Sequence, residues 1–187
     1  RATFQQAKED GVTVLEIGED VWGLKEFFHN DIDELVESFT SAQREIAPEI
    51  ELRLQIGLSR HCPISYLEDC LSYFWGNKNF YSIDLYGDEF AQPIENFKGI
   101  YRRAKKEGLR LKAHVGEWGT AKDIRTAVEE LELDEVQHGI AAAGDESVIR
   151  FLAENKIRLN ITPTSNVLLG RVADMAEHPI GKLYRSG

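Results

Sequence analysis

The stretch Leu109-Arg-Leu-Lys-Ala-His114-Val-Gly-Glu117 decides how this chain is read. It is a short β-rich apolar run that ends on a histidine and is followed by a turn glycine and a carboxylate. A histidine where a strand runs out, with an acid three positions on, can bring a metal ligand and a proton-transfer acid into one small space. That pair suits hydrolytic chemistry at a polarised carbon. The motif is short, so its meaning depends on what surrounds it.

Similar runs recur on both sides. Val12–Ile17, Leu52–Leu58, Phe80–Leu85, Leu109–His114, Asp134–His138 and Ile157–Ile161 all read as strands. Between them lie apolar stripes at helical spacing. Ile32, Leu35, Val36 and Phe39 form one stripe, and Tyr66, Leu67, Cys70, Leu71 and Phe74 another. Ile94, Phe97, Ile100, Tyr101 and Ala104 form a third, which Gly108 is placed to end as a C′ residue. Thr120 is placed to cap a helix over Ala121–Leu131, and Gly144-Asp145 to open one over Glu146–Glu154.

Strand–helix units repeated at intervals of roughly 23–40 residues predict an α/β fold with parallel strands, because parallel strands need crossovers of this kind. Two architectures compete, a doubly wound open sheet and a closed barrel. No Gly-rich phosphate loop follows the first strand, where Glu16-Ile-Gly-Glu-Asp20 stands instead, which weakens the dinucleotide-binding alternative. The polar residues gather at or just beyond strand ends: Arg60-His61, Asp84 with Gly87, His114 with Glu117, His138, and Thr164-Ser-Asn166. In a barrel those ends face one pocket. The expected fold is therefore a partial TIM (β/α)8 barrel of about six βα units with outer helices. No low-complexity or Gly/Ser linker divides the chain, so residues 1–187 read as a single incomplete barrel domain.

Composition narrows the function. The 187 residues are 42% hydrophobic, enough for a sizeable core. A net charge of −10 argues against nucleic acid or an acidic membrane surface as partner. There is no apolar run long enough to span a bilayer and no signal-peptide pattern. The two cysteines, Cys62 and Cys70, form no CxxC pair, and a reduced, cytoplasmic setting is the default.

Each candidate side chain also has a plainer reading. A lone histidine at a strand end is more often a hydrogen-bonded structural residue than a ligand. Two at the ends of successive strands, His114 and His138, shift that balance, because neighbouring barrel strands bring their ends together. His61 is a candidate for the rim, while His29 and His178, in polar or Pro-flanked contexts, read as non-catalytic. Phe74, Trp75, Phe80 and Tyr81 read as packing residues. Gly87 is either a turn residue or a backbone amide left open to a ligand. Asp84 and Asp88 can orient neighbours or cap the following turn.

Four motifs now stand in order: Asp84-Leu-Tyr-Gly-Asp-Glu89, His114-Val-Gly-Glu117, Gln137-His-Gly139 and Thr162-Pro-Thr-Ser-Asn166. As a set, from about Gly11 onward, the chain resembles the adenosine deaminases, metal-dependent barrel hydrolases of the amidohydrolase superfamily. Val115 stands where that family usually has Ala, a small apolar exchange. The resemblance implies hydrolytic deamination of adenosine or a related 6-aminopurine, with zinc as cofactor and a purine nucleoside or base as substrate. It implies that His114 is a zinc ligand at the end of the fifth barrel strand and that Glu117 is the acid that protonates N1 of the purine. His138 matches the residue that positions the metal-activated water and takes a proton from it. Gly87 matches the glycine whose amide approaches purine N3, and Asp84 is left to orient these groups. The chemistry is coherent, since zinc lowers the pKa of its water and a dry pocket favours a protonated, donating carboxyl. The other zinc deaminase signature, HxE with PCxxC, is absent.

The same comparison exposes gaps. The family's first strand carries an HxH pair and its eighth a paired aspartate, and neither motif occurs here. The chain thus reads as strands two to seven of a longer protein. A catalytic zinc takes about three protein ligands, so the 187 residues alone are expected to bind zinc weakly or not at all and to be inactive. Two open parallel edges predict self-association or pairing with the missing barrel segments. The alternatives are a non-catalytic relative that keeps the barrel for binding or dimerisation, and another amidohydrolase acting on a cyclic amide. The joint presence of His114, Glu117 and His138 argues against the first, and the lack of a lysine ending Phe80–Leu85 against the second.

Overall fold

A computed structural model describes all 187 residues. The elements follow as α1 (Ala2–Glu9), β1 (Val14–Asp20), α2 (Gly23–Phe28), α3 (Ile32–Ile46), β2 (Glu51–Ser59), α4 (Ile64–Leu71) and β3 (Phe80–Tyr86). Then come a 3-10 turn (Ile94–Phe97), α5 (Lys98–Glu107), β4 (Arg110–Val115), α6 (Ala121–Leu131) and β5 (Glu135–His138). A second 3-10 turn (Ile140–Gly144), α7 (Glu146–Glu154), β6 (Arg158–Asn160), α8 (Pro163–Leu168) and α9 (Ile180–Arg185) complete the chain. The six strands lie in the sheet in chain order, β1 to β6. A doubly wound sheet would reverse its order part-way. The fold is that of a partial (β/α)8 barrel.

Two compact units, Arg1–Asp84 and Leu85–Gly187, divide the chain within β3. In the first, β1 and β2 pair in parallel from Val14↔Glu51 to Asp20↔Gly57. Phe4 and Ala7 of α1 bury against Ala42, Ala47 and Ile50, with Phe39 and Leu52 packed around them. Asp31 caps α3 by accepting the N–H groups of Asp33 and Glu34. A polar layer crosses the strands: Glu16 accepts from the Ser82 hydroxyl, and Gln55 Nε2 donates to Asp84 Oδ2 at 3.4 Å.

In the second unit β4, β5 and β6 are parallel neighbours, with Lys112↔Glu135 and Gln137↔Asn160 in register. Alternation gives β4 two faces. Leu111, Ala113 and Val115 are buried and apolar on one, where α5 and α6 pack. Lys112 and His114 point to the other. Lys112 Nζ meets Glu135 Oε2 at 3.1 Å, and Asn160 Nδ2 donates to the same oxygen at 2.9 Å. Lys112 and Glu135 are only 3% and 2% exposed. Burial pushes the Glu135 carboxyl up, but the bonds from Asn160 and Lys112 outweigh it and hold the group below its ordinary value. α6 starts with a complete capping box between Thr120 and Asp123 and buries Ile124, Ala127, Val128 and Leu131. Asp145 caps α7, and Gly108 ends α5 at φ 85, a left-handed angle suited to glycine.

Candidate active site

His114, Glu117 and His138 converge in the second unit because two consecutive strands end there and their turns fold over them. His114, on the polar face of β4, stands edge-on to Tyr86 at 6.4 Å between ring centroids. Strict alternation would turn His138 away, since its register partner is Val115 on the opposite face. Its φ of 66 breaks that alternation, and the ring comes to 5.2 Å from the His114 ring. A left-handed angle at a non-glycine residue is uncommon and is held only when neighbours over-determine it.

Glu117 lies on the turn after β4. That turn is clamped by one carboxylate, Glu89, itself 7% exposed. Glu89 Oε2 accepts the N–H groups of Gly116 at 2.7 Å and Gly119 at 3.2 Å. Its Oε1 accepts those of Glu117 at 2.9 Å and Trp118 at 2.8 Å. Gly116 is required twice over: its φ is 74, and a Cβ would lie 2.4 Å from Ile124. Arg171 closes the outer side, donating to the Glu117 carbonyl at 2.8 Å and lying 4.4 Å over the Trp118 ring.

The Glu117 carboxyl is nearly buried and surrounded by donors. Its Oε1 is 3.0 Å from Asn166 Nδ2 and 3.2 Å from His138 Nδ1. Thr162 Oγ1 is 3.0 Å from the same histidine nitrogen. Asn166 in turn meets His178, whose Nε2 lies 3.2 Å from Asn166 Oδ1. A cavity of about 390 Å³ opens here, lined by Glu117, Gly119, Ile140, Arg171 and Glu177. A larger one of about 470 Å³, lined by Leu152, Ile157, Ile161, Leu183 and Tyr184, is apolar and touches none of the candidate residues. Of the candidate residues, Glu117 alone lines the smaller cavity.

His114, Glu117 and His138 are thus brought together. Gly87 has φ 102, which only glycine adopts freely, and the next residue, Asp88, accepts the Phe90 N–H at 2.9 Å. Asp84 lies in the first unit, 2% exposed, with Gln55 as its neighbour. The sequence alone places Asn166 at a strand end without giving it a role, and it leaves out Glu89, inside the Asp84–Glu89 motif, and His178. The signal for His178 is its own buried position beside the site. No three His, Cys, Asp or Glu side chains stand close enough together to hold a metal ion. Since a catalytic zinc takes about three protein ligands, the donors of this chain do not form a metal site by themselves.

The candidate side chains thus stand at or just after the ends of strands in a sequential βα sheet, where (β/α)8 barrels carry their sites. The adenosine deaminase family profile matches residues 2–187, and the chain belongs to that family. A putative adenosine/adenine deaminase of Treponema pallidum is 38% identical over 185 residues, covering 99% of this chain and 62% of that protein. The crystal structure of adenine deaminase from Arthrobacter aurescens matches with a TM-score of 0.85 and 25% identity, covering 100% of this chain and 57% of that one. An amidohydrolase from Burkholderia ambifaria, with bound Zn, matches with a TM-score of 0.83 and 23% identity over 100% of this chain and 53% of that one. The chain therefore spans little more than half the length of the relatives it matches. No helix is long and apolar enough to cross a membrane.

Proposed function

We propose that the protein to which residues 1–187 belong deaminates a 6-aminopurine hydrolytically, adenosine and adenine being the first candidates. The observation that carries this is the Glu117 carboxyl, fixed at a cavity wall with Oε1 beside Asn166 Nδ2 and His138 Nδ1. Water supplies the oxygen that replaces the amino group at C6, and ammonia leaves. Glu117 gives a proton to a ring nitrogen, which lowers the electron density at C6. His138 takes a proton from the attacking water, and that proton passes to the amino group as it leaves. For that its Nε2 must be unprotonated, so Nδ1 carries the hydrogen, and Thr162 Oγ1 and Glu117 Oε1 are the acceptors within reach. Gly87 offers its backbone amide to the purine.

His114 would supply one ligand to a zinc ion whose remaining donors lie outside this chain, as expected of a family member with an amidohydrolase fold. Neither Cys62 nor Cys70 is in a disulfide, which suits a reducing cytoplasm. The deciding experiment is ammonia release by the full-length protein from adenosine, adenine and nucleotide substrates. Turnover of a 6-aminopurine with loss on Glu117→Gln is the expected result. No release from any of them would overturn the reading.

A further inference from the structure

His178 and Asn166 form a hydrogen-bonded chain whose direction can be read without ambiguity, because it starts at a main-chain donor. The N–H of Ile180 points at His178 Nδ1, 3.1 Å away. A backbone N–H can only donate, so Nδ1 accepts and the ring hydrogen sits on Nε2. That nitrogen lies 3.2 Å from Asn166 Oδ1 and donates to it. The amide of Asn166 therefore has one orientation, with its oxygen towards His178 and its nitrogen towards Glu117. Asn166 Nδ2 then donates to Glu117 Oε1 at 3.0 Å.

Nothing in this chain is loosely held. Asn166 is fully buried and His178 is 7% exposed. Burial also keeps His178 below the usual histidine value, in favour of the neutral ring that the geometry demands. His138 Nδ1 lies 3.2 Å from the same oxygen and is its second donor when that nitrogen carries the hydrogen, as the proposed reaction requires. Asn166 Nδ2 and His138 Nδ1 are 3.3 Å apart, and with the hydrogen on Nδ1 both aim at Glu117 Oε1. An oxygen that accepts from both has no room for a hydrogen of its own, so a proton on this carboxyl resides on Oε2.

We propose that Asn166 and His178 are positioning residues: they fix Glu117 Oε1 as a permanent acceptor and reserve Oε2 as the oxygen that delivers the proton. This rests on the deaminase reading for the proton's destination and for the His138 tautomer, while the polarity from Ile180 through His178 and Asn166 to Glu117 stands on the geometry. The two residues are 12 positions apart, Asn166 within α8 and His178 just before α9, and neither touches the reacting atoms.

The test uses the full-length protein and has two arms. Nitrogen-15 NMR of the His178 ring should show a protonated Nε2 and an unprotonated Nδ1. In steady-state kinetics on the best 6-aminopurine, Asn166→Asp, which keeps the shape but removes the donor, should lower kcat at least about tenfold with KM held within about threefold. His178→Leu should lower kcat in the same manner. His178→Gln places an amide nitrogen near the Nε2 position and should recover most of the loss. An Nδ1–H tautomer overturns the proposal, as does a His178→Gln variant no better than His178→Leu, or an unchanged kcat in Asn166→Asp. If the wild-type protein releases no ammonia, the functional reading fails and the proton-delivery role with it. The tautomer measurement then still decides the polarity of the chain.

Discussion

Glu89 holds the peptide that carries Glu117: its Oε1 accepts the Glu117 N–H at 2.9 Å, across 28 residues of sequence. With the three neighbouring N–H groups it forms a buried carboxylate nest around the turn after β4. Replacing Glu89 by Gln puts an amide NH2 where two N–H groups already point. The expected cost is about 2–3 kcal/mol of stability, because bonds to a charged acceptor are lost and buried donors are left unmatched. Urea denaturation of the two proteins measures it.

Glu117→Gln keeps the shape of the side chain but removes the transferable proton. Deamination should fall about 10²–10⁴-fold, the range usual for a general acid, with the midpoint of thermal unfolding little changed. Ammonia release and a thermal melt distinguish this loss from misfolding.

Gly116→Ala should destabilise the turn by about 2–4 kcal/mol, combining a left-handed strain term with overpacking. The added methyl would lie 2.4 Å from Ile124, on the first turn of α6. Shortening Ile124 to Val in the same protein should recover part of the loss but not the strain term.

Lys112→Met leaves the buried Glu135 carboxylate with Asn160 and the longer contacts to Arg110 and Arg158, 3.5 Å each. The expected cost therefore lies below the roughly 3–5 kcal/mol of a wholly unpaired buried charge. The pH dependence follows from the depressed Glu135 value. Its contribution to stability is complete above the unfolded value of about 4.3 and fades as pH falls through the lower folded value. The difference in melting temperature between wild type and Glu135→Gln should therefore be constant near neutrality and shrink in acid.

Zinc titrated into the isolated 187-residue chain should show no tight site, since His114 and His138 find no third donor among His, Cys, Asp and Glu. The full-length protein should bind zinc tightly and lose that binding on His114→Ala. Calorimetric titration of the three samples reads both outcomes.

All six strands are legible in the sequence because each is a short apolar run between helix-patterned stretches. Their ends are less so. β1 begins at Val14 rather than Val12 and runs on to Asp20, because Gly18, Glu19 and Asp20 find ladder partners in Gln55, Ile56 and Gly57. Pairing overrides the poor strand propensity of glycine and aspartate. α1 escapes the pattern search because only Phe4 and Ala7 of its eight residues are buried. The candidate residues His114, Glu117 and His138 stand out because they sit at strand ends. Glu89, Asn166 and His178 do not, because their meaning comes from contacts across 27, 49 and 12 residues that no local spacing encodes.

The buried pair of Lys112 and Glu135 also bears on how the sheet assembles. The two residues are directly opposed in the β4–β5 register. A slip of one position would set the Lys112 ammonium against Val136, which is fully buried, and turn the whole run of side chains to the wrong face. A purely apolar strand pair could tolerate that error for a time. Here the misaligned sheet would trap an uncompensated charge, so the pair acts as a proofreader that admits only the alignment in which His114 and Gln137 also face each other.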